Sequence, residues 1–142
     1  MITKDNIDIQ RMHDVIEGKL YDRRCGKTTT QLFQVALIAD LLKDHTDTIV
    51  VVNKSLGMTL YAINAFQDVL ECLGFTNIKY YPTRHMFELG NMKVEFKGWD
   101  SMDNWFIGRR FSHMAIDHSV DIRDDDPRYT MLITNTSKIE FI

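Results

Sequence analysis

Residues 48–54, TIVVVNK, contain an almost unbroken run of β-branched side chains. A strand with one face in water alternates apolar and polar positions. A strand that is apolar at every position is covered on both faces, as in the centre of a parallel sheet. Parallel neighbours need long crossovers, and helical patterns flank the run on both sides. Residues 27–43 put Leu32, Val35, Ala36, Ala39 and Leu42 on one helical face. A second helix is expected from about Met58 to Leu73, stopped by Gly74.

The remaining segments extend the same alternation. Residues 6–17 carry Ile9, Met12, Val15 and Ile16 on one helical face, with Asp5 or Asn6 as cap and Gly18 as terminator. A short strand is expected at 19–22 and another at 77–82, NIKYYP. Residues 87–98, FELGNMKVEFKG, have the alternation of a hairpin turning at Gly90-Asn91. A short amphipathic helix is expected near 100–107. Strands follow at 113–119 (HMAIDHS), at 130–136 (TMLITNT) and in the closing KIEFI. The expected class is α/β, a three-layer arrangement around a mainly parallel sheet with an added β-hairpin, in a single domain over 1–142.

Bulk properties narrow the function classes. The chain is 44% hydrophobic and 26% charged, and no apolar run approaches the length of a membrane span. Residues 1–20 lack the pattern of a secretory signal. Cys25 and Cys72 make no disulfide framework, so a reducing cytoplasm is the expected compartment. A net charge of −3 argues against a surface coated in basic residues for nucleic acid, while allowing a local basic patch.

Chemistry concentrates in YDRRCGKTTTQL, residues 21–32. Binding phosphate takes converging backbone N–H groups, a helix N-terminus behind them and a cation. Gly26-Lys27-Thr28-Thr29, opening a helix after a short strand, provides all three. Lys27 would reach the β- and γ-phosphates of ATP and the Thr28 hydroxyl would hold Mg²⁺. The plain alternative is a capped helix that happens to begin near a lysine. Arg23 and Arg24 suit an anion or a solvated turn, and Cys25 serves as a small residue of the loop. Downstream, the apolar strand from His113 runs into one carboxylate, Asp117, at the position from which a Mg²⁺ water shell is oriented.

The order GKTT, VVVNKS, VEFKG, IGRRFSHMAIDH and MLITNTS resembles the ATPase domain of phage terminase large subunits and the related RecA-like helicase cores. In terminases the loop often lacks its first glycine and begins with arginine, as Arg23-Arg24-Cys25-Gly26-Lys27-Thr28 does. The resemblance implies a RecA-like P-loop fold, a Mg²⁺-dependent ATPase, and viral DNA transactions in the host cytoplasm with DNA, a viral or host protein, or further copies of the chain as partners. It also implies a γ-phosphate-sensing strand end at residues 134–137 and an adenine-reading glutamine, for which Gln10 is the candidate. A surface glutamine on a helix is the simpler reading of Gln10.

Two departures bear on activity. After the metal-positioning Asp this family carries a Glu that activates water, and here the residue is His118. Histidine can act as a general base near neutral pH. If it only fills the position, the chain would instead be a non-hydrolysing nucleotide- or protein-binding regulator. Neither a nuclease domain nor a second helicase lobe is expected after residue 142, and no arginine finger is assigned. The expected catalytic set is Lys27, Asp117 and His118. The nucleotide-binding set is Gln10 with residues 23–29, including Thr29, and the metal set is Thr28 and Asp117. The acidic run at 121–126 lacks EF-hand spacing and reads as a solvated loop. Trp99, Trp105, Phe106 and Phe111 read as packing residues, because few basic residues interleave with them.

Overall fold

The computed structural model describes residues 26–102, 105, 109, 111–117, 120, 126, 127 and 140–142. Helix α1 spans Gly26–Leu41, β1 Thr48–Asn53, α2 Leu56–Leu73, β2 Ile78–Tyr81, β3 Met86–Leu89, β4 Met92–Gly98, β5 His113–Ile116 and β6 Glu140–Phe141. The sheet order is β2-β3-β4-β1-β5-β6. β1 is central and pairs in parallel with both β4 and β5, and β6 extends the parallel part beyond β5. β2, β3 and β4 form an antiparallel meander that feeds its last strand into the parallel register. The chain is thus α/β with a mixed sheet.

The β-branched run explains the centre. Ile49 and Val51 pack with the helices, and Val50 and Val52 with a second cluster, all at 0–1% exposure. Fully burying each such side chain contributes about 1.5–3 kcal/mol, so β1 anchors both faces at once. On the helix face, Leu32, Phe33 and Ala36 of α1 and Ile63, Phe66 and Leu70 of α2 meet Phe87, Val94 and Phe96. Phe66, Phe87 and Phe96 make edge and tilted contacts at centroid distances of 5.0, 5.4 and 5.8 Å.

The opposite face is covered near β1 and β5 by Trp99, Met102 and Phe111. Both described helices α1 and α2 therefore lie on one side, and the described cover of the other side comes from a 3₁₀ turn and the residues beyond it. The helix expected near 100–107 starts instead as a single 3₁₀ turn at Trp99–Ser101. Its physical cause is local. Asp100 N–H donates to the Lys54 carbonyl at 3.2 Å, which ties the chain to the end of β1 while Trp99 and Met102 sink into the core. The expected elements at 6–17, 19–22 and 130–136 lie outside the described residues. No described helix is long and apolar enough to cross a membrane.

Candidate nucleotide and metal site

Three segments meet at the carboxyl edge of the parallel strands, where open α/β sheets bind ligands. β1 ends on Asn53, β5 runs into Asp117, and α1 starts nearby with Gly26-Lys27-Thr28-Thr29 as its first turn. Gln31 fixes that start. Its Nε2 donates to the Ile116 carbonyl at 3.0 Å and to the Ile142 carbonyl at 3.2 Å. Gln31 follows Lys27 by four residues and Thr28 by three, so the three positions share one side of the helix. The helix is thereby clipped to the residue that immediately precedes Asp117. Its first turn contains no acidic residue, so no carboxylate within it offsets the positive end of the helix dipole.

Asp117 is only 2% exposed, and its backbone N–H donates to the Val52 carbonyl at 2.9 Å, continuing the β1–β5 ladder by one step. Val52 pairs with Ile116, so the next residues along, Asn53 and Asp117, lie side by side. Strand alternation turns Asn53 away from the Val50 and Val52 face toward the helices. Asn53 is also 2% exposed, and its Oδ1 is buried with no hydrogen-bond partner.

A buried acceptor left unpaired costs about 1–3 kcal/mol, and natural proteins keep such groups where an ion, a water or a catalytic role completes them. An amide oxygen next to a carboxylate is an acceptor next to acceptors. A water or a cation can complete it. Mg²⁺ suits this donor set, because it retains waters and takes one or two carboxylates together with phosphate oxygens. Among the described residues no group of three or more His, Cys, Asp or Glu gathers around a common point. A cation here would complete its shell with water and ligand oxygens. The residues present fit hydrated Mg²⁺.

The neighbouring helix start differs. α2 is closed by its own cap: Ser55 Oγ accepts from Met58 N–H at 3.3 Å, and the Thr59 hydroxyl donates to the Ser55 carbonyl at 2.7 Å. Gly98 permits β4 to end against this cap, since a Cβ there would lie 3.2 Å from the Ser55 carbonyl carbon.

Of the residues expected from sequence, Gly26, Lys27, Thr28 and Thr29 form the start of α1, and Asp117 stands at the end of β5. Gln10, Arg23, Arg24, Cys25 and His118 lie outside the described residues. Sequence reasoning missed Asn53 and Gln31. The available signal for Asn53 was a polar residue closing an otherwise apolar strand. For Gln31 it was a polar residue one turn into a helix, on the side that carries the lysine. Comparison with protein-family models, with curated proteins and with solved structures finds no match for the chain.

Proposed function

We propose that the chain is a Mg²⁺-dependent, ATP-binding P-loop protein that hydrolyses ATP. The observation that carries the reading is the Gln31 clip, which joins the start of the Gly26-Lys27-Thr28 helix to the strand end at Asp117. In this reading Lys27 and the N–H groups of the first turn hold the β- and γ-phosphates. Thr28 and Asp117 would hold Mg²⁺, and Asn53 Oδ1 would accept a hydrogen bond from water beside them. Mg²⁺, when bound, neutralises charge on the phosphates. Arg23 and Arg24 line the phosphate rim, and Gln10 contacts adenine. His118 receives the proton of the attacking water, and Lys27 stabilises charge developing on the γ-phosphate. The RecA-like three-layer fold, the kinship with terminase and helicase motors, and work on viral DNA beside a protein partner or further copies belong to the same proposal, and rest on the resemblance described above.

A second reading is favoured by one residue. His118 stands where a glutamate is expected, which suits a regulator that binds nucleotide without turning it over. Titration calorimetry with Mg²⁺ and ATP, followed by phosphate release with and without DNA, separates the two. The expected outcome is Mg²⁺-dependent binding that Lys27→Ala abolishes, with turnover that His118→Glu raises. Unchanged ATP affinity in Lys27→Ala would overturn the site, and tight binding with no phosphate released under any condition would select the regulator.

A further inference from the structure

The sheet face away from the helices changes character across its width. Over β1 and β5 it is apolar and covered. Over the meander it is polar, because β4 alternates Met92, Val94 and Phe96 toward the helices with Lys93, Glu95 and Lys97 on the other side. A groove of about 780 Å³ runs over this half, lined by these three residues together with Arg84, Trp105 and Arg109.

Its charge is one-sided. Glu95, the acid lining it, is ion-paired with Arg109. Glu88, opposite Lys93 in register, accepts from the Tyr81 hydroxyl, a bond that pushes the Tyr81 pKa up. Arg84, Lys93 and Lys97 have no carboxylate partner among the described residues. Among the described residues the lining of this groove is net positive, with Arg84, Lys93, Lys97 and Arg109 against Glu95 and with the Glu88 carboxylate beside Lys93, in a chain whose net charge is −3. Lys93 and Lys97 are four strand residues apart, about 13 Å, so they cannot serve one small anion together.

The wall is aromatic. Trp105 stacks on Phe111 at 5.7 Å and 18°, with the Arg109 guanidinium 4.1 Å and the Lys97 ammonium 5.4 Å from its ring centroid. Arg109 is held by Glu95 and Trp105 yet its side chain keeps 39% exposure. A guanidinium plane is a surface on which unstacked bases stack.

We infer that this groove binds a single-stranded nucleic acid, with backbone phosphates on Arg84, Lys93 and Lys97 and a base on the exposed face of the Arg109 guanidinium, which Trp105 backs. A spaced row of cations beside a stacking wall matches a strand of alternating phosphates and π-faces. An acidic peptide would use the cations and leave the wall idle. Reading the bases of a duplex takes a helix or ribbon in its groove, whereas the cations and the guanidinium plane here lie on a sheet face, open to unstacked bases. The site lies on the far side of the sheet from α1 and uses none of the residues assigned to nucleotide.

The test is fluorescence anisotropy of the full chain with a labelled oligodeoxythymidine at several salt concentrations, with a 20-base-pair duplex and polyglutamate as competitors. Three phosphate contacts predict a log–log salt slope of about −2, and each lysine removed lessens it by about 0.7. Lys93→Gln plus Lys97→Gln should weaken binding about tenfold or more at low salt. Lys43→Gln, on another surface, and Lys27→Ala should leave it unchanged. Circular dichroism checks that each variant is folded, and the single lysine variants stand in if the double one is not. No binding at low salt, or binding indifferent to both lysines, would overturn the assignment. Equal competition by polyglutamate would reassign the groove to an acidic protein, and preference for duplex would exclude the single-strand reading. Because Lys27→Ala affects only ATP, failure of the nucleotide reading and failure of this one are separately visible.

Discussion

Asn53 and Asp117 are adjacent in the fold and 64 positions apart in the chain, and they differ in how far sequence can reveal them. Asp117 is legible because an apolar strand running into a lone carboxylate downstream of GKT is a local pattern. Asn53 is not, because its unsatisfied oxygen results from the register of β1 against β5 and from the covering of both faces. A proline or a charge there would have drawn attention; an asparagine after four apolar residues reads as a strand end. Replacing it by leucine keeps the branched heavy-atom outline and removes the orphaned acceptor. Asn53→Leu should therefore raise ligand-free stability by about 1 kcal/mol, read as a higher urea midpoint at constant slope. On the proposed function, it should also reduce the stabilisation expected from Mg²⁺ in the presence of ATP. A lowered midpoint would mean that the amide is satisfied in solution and that the site does not hold stored cost. Exchanging stability for function in this way is common at binding sites.

At the scale of elements, the hairpin between β3 and β4 was readable from Gly90-Asn91 and from the strict alternation of MKVEFKG. Its docking was not. The turn sits on the end of α1: Asn91 N–H donates to the Lys43 carbonyl at 2.8 Å, and Lys93 N–H to the Asp47 carbonyl at 3.0 Å. Gly90 has φ +61°, and a Cβ on it would lie 2.8 Å from that same Lys43 oxygen and 2.9 Å from the Lys43 Cβ. The glycine is needed twice, for the left-handed backbone and for the approach to Lys43. Gly90→Ala should cost about 1–3 kcal/mol from the backbone alone, and more once the Lys43 clash is added. Gly74, the left-handed C-cap of α2 at φ 76°, should lose about 1 kcal/mol on the same change. Urea denaturation of the two variants checks the order; an equal loss would show that the hairpin turn is not seated on α1. The pairing of β4 with β1 stayed hidden for a related reason. Nothing local to either segment says that a meander strand will end in parallel register with a strand 44 residues earlier.

Across the whole molecule, the sheet divides labour between its two sides and its two halves. The helix side is closed and apolar, and at its carboxyl edge the start of α1, Asn53 and Asp117 meet. Among the described residues the other side is apolar and covered over β1 and β5 and carries the charged groove over the meander. β1 is the element common to all of this: it is hydrogen-bonded to β4 and β5, buried on both faces, and ends at Asn53. Local opening free energies follow buried contact and hydrogen bonding from near zero up to the global value. The amides of Ile49–Val52 should then exchange slowest in the chain, at rates set by global unfolding, because exposing them requires taking apart both flanking pairs. Those of β2, a strand at the sheet edge whose residues are half-buried or exposed, should exchange through local fraying at much lower cost. Hydrogen exchange followed by peptide-level mass spectrometry across a denaturant series distinguishes the two regimes. Local fraying is insensitive to denaturant, whereas the β1 amides should track the global slope. If β1 exchanged as fast as β2, the parallel centre could not be the rigid base from which Asn53 and Asp117 are held, and the precision that the proposed metal–phosphate site would demand would have to come from elsewhere in the chain.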